Sequence, residues 1–244
     1  MKRLALALAV LVAWLALVWG SQRLEAARHI SLDELVSRRI SVGFVIAPML
    51  LLAAVAVFKW RDVGLSRPRS LRSLLILWLP CLYVVITFAL ALAAGLPAAT
   101  TTGIILVNTT LVGVSEELLF RGVLFSGARA QMSVWKAVWF SSLLFGAAHA
   151  SNGFLTGDFH AAAAQAVAAA MTGVYLAAVR LRTGSLYPGM VIHGLWDFAV
   201  LLMAVAISGR GRTTSEAFGL GAILMQAPLL AYGVWLIRRE LRTR

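Results

Sequence analysis

Six ionisable side chains stand in otherwise apolar stretches and have the types and spacing for acid–base work. They are Glu116, Glu117 and Arg121 in L-V-G-V-S-E-E-L-L-F-R-G (Leu111–Gly122), His149 in Phe145-Gly146-Ala147-Ala148-His149, and His193 and Asp197 in His193-Gly194-Leu195-Trp196-Asp197. A carboxylate in a dry pocket is a competent general base for water, and a second imidazole can polarise a carbonyl or stabilise an oxyanion. The same groups could hold a Zn²⁺ ion, which takes histidine nitrogen and carboxylate oxygen. Both routes lead to hydrolysis by an activated water. No Ser or Cys stands with a His and an acid as a nucleophile would, and Ser115 reads as a helix-packing hydroxyl.

Spacing separates the two adjacent acids. Glu117 and Arg121 are i, i+4 on a helix and meet on one face, where they neutralise each other. Glu116 is rotated by about 100° from Glu117, and the position one turn on is Phe120. Glu117–Arg121 is therefore the supporting pair, and Glu116 is the carboxylate left free to work. A charge at the middle of a membrane costs about 3 kcal/mol on the insertion scale, so charges kept there are by default functional. The plainer use is a structural ion pair locking two helices together.

The elements must bring these groups to one level. Glu116 lies thirteen residues before Arg129, and His149 thirteen after Lys136. With both basic residues at the inner surface, each site rises about 20 Å, and His193, eleven residues past Arg182, rises about 16 Å. Asp197 follows on the same face at i+4. Three helices thus aim acid and imidazole at a common layer near the membrane middle. His29 and His160 fall in loops and read as solvated surface residues.

Composition fixes the class. Of 244 residues, 61% are hydrophobic and 13% charged, which is too apolar for a soluble domain and too long for a single anchor. The chain reads as an all-α, polytopic transmembrane helical bundle. About eight spans are expected, at Leu4–Trp19, Ile40–Phe58, Leu74–Ala94, the acidic-motif helix ending near Arg129, Val134–Ala150, Ala161–Ala178, Leu186–Ile207 and Phe218–Ile237. The net charge of +12 sits in short loops between spans, above all Lys59–Arg72. That is the positive-inside pattern rather than a nucleic-acid site, and it puts both termini in the cytoplasm.

Leu4–Trp19 after Met1–Arg3 has the outline of a signal peptide, but Gly20-Ser21-Gln22-Arg23 lacks a small-x-small cleavage pattern, so a first membrane helix is expected. Ser31-x-x-Glu34 resembles a capping box, Pro80 predicts a kink, and the alanine run at Ala161–Ala178 lets a neighbour approach closely. Gly209–Ser215 is expected as an outer loop, with Arg238, Arg239, Arg242 and Arg244 on the inside. The single Cys81 has no partner for a disulfide and reads as a small packing residue. Residues 1–244 form one membrane domain, with no repeat and no second unit, and 103–201 hold the core helices that carry the motifs.

Glu-Glu-x-x-x-Arg at Glu116, Glu117 and Arg121, Phe-x-x-x-His at Phe145 and His149, and His-x-x-x-Asp at His193 and Asp197 together resemble the CAAX-protease and bacteriocin-processing family of intramembrane proteases. The resemblance covers roughly Gly103–Leu201. It implies a membrane-embedded hydrolase cleaving a peptide bond of a membrane-associated or lipidated protein or peptide, in contact with the lipid bilayer and with no nucleic acid. By motif position Glu116 activates water with help from His149. His193 and Asp197 steady the oxyanion, while Glu117, Arg121 and Phe145 support the frame. Eukaryotic relatives trim prenylated CAAX proteins, whereas bacterial ones are linked to bacteriocin immunity and other processing. The Arg- and Ala-rich composition fits a bacterial plasma membrane.

One departure stands out: Asn is common where this chain has Asp197, and an ionised carboxylate has no proton to donate. The family has been described both as metalloproteases and as metal-independent glutamate proteases, so the cofactor is none or Zn²⁺, with Glu116, His149 and His193 as candidate ligands. Ligands spread over three helices lack the i, i+4 histidine pair of common zinc proteases, which favours the metal-independent form. A proton-coupled transporter would use the same groups as a relay, but it would carry paired broken helices or an inverted repeat, and neither is evident in the sequence. A non-catalytic immunity or scaffold protein keeping such a site is the remaining alternative.

Overall fold

The computed structural model describes residues 2–25, 29–208 and 220–242. The loop expected at Gly209–Ser215 lies outside the described residues, as do Met1, Arg28, Phe218 and Arg244. The described residues form helices and no strand: α1 (Lys2–Glu25), α2 (Leu32–Arg38), α3 (Val42–Val57), a 3₁₀ segment Leu71–Leu77 leading into α4 (Trp78–Ala94), and α5 (Ala99–Glu117). A π-helical segment, Leu118–Leu124, continues α5 into α6 (Phe125–Arg129). Then follow α7 (Val134–Ala150), α8 (Gly153–Thr156), α9 (Phe159–Thr183), α10 (Tyr187–Ser208) and α11 (Leu220–Arg242).

Six helical stretches are long and apolar enough to cross a membrane: Lys2–Glu25, Leu71–Ala94, Ala99–Arg129, Phe159–Thr183, Tyr187–Ser208 and Gly221–Arg242. A seventh counts if α2 and α3, bent by 87° at their junction, make one broken span. The sequence led us to expect about eight. Its fifth, α7, has 17 residues, about 25 Å of helix, at the lower end of the length that crosses a bilayer. Large apolar side chains such as Val12, Val85, Leu143, Val191 and Leu224 face outward, as helices bathed in lipid require.

Local chemistry sets several boundaries. Ser31 accepts a hydrogen bond from the Glu34 amide and starts α2, as the capping box predicted. Ser133 does the same for α7 and Asp158 for α9. Pro80 does not kink a helix interior. It occupies the first turn of α4, directly after the 3₁₀ segment, where a missing N–H leaves no intrahelical bond unmade. Cys81 is exposed on α4 rather than packed inside, because its neighbour Pro80 is the residue turned inward.

Packing places α9 between α7 and α11, and α10 between α5 and α4. Small residues permit the closest approaches. A Cβ at Gly113 of α5 would stand 2.8 Å from the Gly194 amide nitrogen of α10, and one at Gly146 of α7 would stand 2.6 Å from the Ala166 carbonyl of the alanine-rich α9. The α2–α3 joint is held by the buried Asn108 of α5. Its amide donates to the carbonyls of Val36 and Arg39 and accepts from the Ser41 amide, at 2.9, 2.8 and 3.1 Å. On the opposite side the basic loop after α3 docks on α1, α9 and the turn that leads into α10. Arg3 donates to Asp62 at 2.9 Å, Arg180 donates to the Asp62 carbonyl, and the Leu186 amide donates to the Gly64 carbonyl.

Candidate active site

The site is built around the π-helical segment, all seven of whose residues are buried. Such wide turns recur at functional sites. Here the turn carries Arg121, fully buried, over the face of Phe145 from α7, with the guanidinium 4.0 Å from the ring centroid. Arg121 Nη1 donates to Glu117 Oε1 at 2.9 Å, so the pair expected from i, i+4 spacing is present. The same oxygen faces His193 Nδ1 of α10 at 3.0 Å. Glu117 is thus a hub: it neutralises a buried guanidinium and fixes an imidazole from another helix. The Gly113–Gly194 approach, one turn from Glu117 and next to His193, makes that reach possible.

The other edge of His193 meets the free acid. His193 Nε2 lies 3.6 Å from Glu116 Oε2 and 3.5 Å from Asp197 Oδ2. Both distances exceed a direct hydrogen bond, and Glu116 Oε2 has no hydrogen-bond partner among the described residues though it is buried. Each ring nitrogen of His193 therefore faces carboxylate oxygen, Nδ1 within hydrogen-bond reach and Nε2 across a wider gap.

His149 completes the layer from α7. Its Nδ1 lies 2.9 Å from the Phe145 carbonyl. A carbonyl only accepts, so Nδ1 carries a proton, and in the neutral ring Nε2 keeps its lone pair. Phe145 fixes both imidazoles edge to face, with centroids 4.5 Å from His149 and 5.7 Å from His193.

These groups open on one cavity of about 930 Å³, lined by Glu116, Phe145, His149, His193 and Asp197 and continued by apolar residues of α1, α2, α4, α9 and α11. Among the described residues no three His, Cys, Asp or Glu side chains are arranged to hold a metal ion.

The structure brings together Glu116, Glu117, Arg121, Phe145, His193 and Asp197, with His149 on the same cavity. His29 and His160 are exposed and lie apart, His160 in the first turn of α9 rather than in a loop. Ser115 donates to the Val112 carbonyl within its own helix, as a packing hydroxyl does. Three features escaped the sequence reading: the Glu117–His193 contact, the Asn108 joint, and the face of α1 that lines the cavity. Asn108 carried the available signal, an amide in an apolar span eight residues before Glu116.

Residues 97–199 match the family model described as type II CAAX prenyl endopeptidase Rce1-like. No curated protein matches the chain.

Proposed function

We propose, from the match of residues 97–199 to the type II CAAX prenyl endopeptidase Rce1-like family model, that this integral membrane protein is an intramembrane endopeptidase. It hydrolyses a peptide bond of a membrane-associated, prenylated protein or peptide by a water that Glu116 and His149 activate, without a metal. The observation that carries this reading is the buried, unpartnered Glu116 Oε2 beside His193 Nε2 on the cavity wall.

In this mechanism Glu116 takes a proton from water while His149 Nε2 accepts the water's second hydrogen and aims its oxygen. The oxygen bonds to the scissile carbonyl carbon, and His193 Nε2–H donates to the oxyanion that forms. Glu117 orients the ring through Nδ1 and Asp197 flanks Nε2, so Asp197 serves the oxyanion through the imidazole and not as a donor itself. When the C–N bond breaks, the proton held by Glu116 passes to the leaving amine. Residues 103–201 carry the chemistry within a single bundle, and both termini face the cytoplasm of a bacterial cell.

The test is cleavage of a farnesylated CAAX peptide, carrying a fluorophore–quencher pair across its last residues, by the purified protein in detergent. The wild-type chain releases the C-terminal fragment, identified by mass. His149→Ala lowers the rate by about 10²–10⁴-fold at an unchanged thermal midpoint. Full activity of His149→Ala, or no fragment from the wild type, defeats the proposal.

A further inference from the structure

Within the cavity wall, the face of α1 made by Trp14, Leu15, Val18, Trp19 and Gln22 lies outside the family-matched segment. Two of its polar groups are out of place as mere packing. Trp14 and Gln22 are each 4% exposed, yet Trp14 Nε1 and Gln22 Oε1 have no hydrogen-bond partner among the described residues. Buried polar atoms nearly always have one. Trp19, on the same face, shows the ordinary solution: its Nε1 donates to Ser151 Oγ at 3.0 Å.

Position gives the two groups a use. The Trp14 ring packs edge to face on Phe120 at 6.1 Å, and Phe120 is one helical turn past Glu116. Gln22 stands two turns further along α1, about 12 Å from Trp14. An extended chain covers that length in about four residues at about 3.3 Å each. A peptide drawn into an apolar cavity needs its backbone N–H and C=O groups paired there. A prenyl or acyl chain needs neither.

Building on the endopeptidase reading, we propose that α1 forms a binding strip for the substrate's extended backbone. Trp14 Nε1–H donates to one peptide carbonyl next to the scissile bond. The Gln22 side-chain amide pairs with a peptide group about four residues away, and either orientation of that amide presents one donor and one acceptor. The strip orients the peptide along the cavity and leaves the bond-breaking to the residues of α5, α7 and α10.

The experiment uses Trp14→Phe, which keeps a ring and removes the N–H, and Gln22→Leu, which keeps much of the side-chain volume and removes both polar atoms. With the farnesylated peptide above, each raises KM about fivefold and the pair about 25-fold, as for one and two lost neutral hydrogen bonds, while kcat holds. In a Glu116→Gln background, fluorescence anisotropy of the same peptide shows matching losses in affinity. Unchanged KM and affinity in both variants overturn the strip and point to occupancy by the prenyl chain alone. A fall in kcat at constant KM also overturns it, as does failure of the unaltered chain to bind the peptide. If the wild type binds but does not cleave, and both variants weaken binding, the strip stands and the endopeptidase reading falls. Should Trp14→Phe fail to fold, Gln22→Leu decides the outcome alone.

Discussion

Glu117 accepts from two cations or potential cations at one oxygen, Arg121 Nη1 and His193 Nδ1, with all three side chains buried. Removing one member leaves the others uncompensated. Arg121→Met should therefore destabilise the protein by about 3–5 kcal/mol, the usual result of breaking a buried ion pair from one side. The double variant Glu117→Leu/Arg121→Met should regain most of that stability and still lack activity, because His193 loses its acceptor. Thermal melting in detergent alongside peptide cleavage checks both halves. If the double variant is active, Glu117 has no part in positioning His193. Spacing alone made the Glu117–Arg121 pair legible, since i, i+4 is a local rule. Glu117–His193 was not legible, because the partners are 76 residues apart and no local pattern states which helices become neighbours.

At the scale of elements, the site depends on how closely α5 and α10 approach. Gly113→Val would drive a side chain into the Gly194 amide and the Met190 carbonyl, whose atoms stand 2.8 and 2.9 Å from the position of a Cβ. Overpacking of this kind costs about 1–3 kcal/mol. Forcing the helices apart would also separate Glu117 from His193, so the variant should insert and fold but cleave at least tenfold more slowly. Wild-type rates for Gly113→Val would show that this approach is not what aligns the site. Counting residues from the basic loops was enough to anticipate that Glu116 and His193 share a level, because helical rise is fixed. It gave no sign of the π-helical turn at Leu118–Leu124, since an apolar run reads alike in either hydrogen-bond register. Pro80 misled for a related reason: its effect depends on whether it falls inside a helix or in its first turn.

Across the whole molecule, composition and hydropathy were sufficient for the all-helical membrane class. Span count was less legible, because α7 is short for a span and the α2–α3 pair is bent by 87°, neither of which shows in one dimension. The inner-side loop offers a test of the packed arrangement away from the site. The hydrogen bond from Arg3 holds the Asp62 carboxyl below the usual carboxylate range. A carboxyl depressed on folding stabilises above its unfolded value near 3.8 and loses that contribution as pH falls through its folded value. Asp62→Asn should thus lower the melting midpoint equally at pH 5 and pH 8, by the equivalent of at most about 1 kcal/mol for a half-exposed pair. The difference should shrink as pH falls through the folded value of the carboxyl. A difference that keeps its size in acid would mean that the charge of Asp62 is not what holds the loop. The central claim is that one carboxylate, Glu116, does the proton transfer in a pocket assembled from α5, α7 and α10. The most direct measurement is the single-turnover cleavage rate of Glu116→Gln, a change that keeps size and polarity and removes only the base. The account predicts a loss of about 10²–10⁴-fold with peptide affinity and melting midpoint intact, whereas a Glu116→Gln protein that cleaves at the wild-type rate would contradict it.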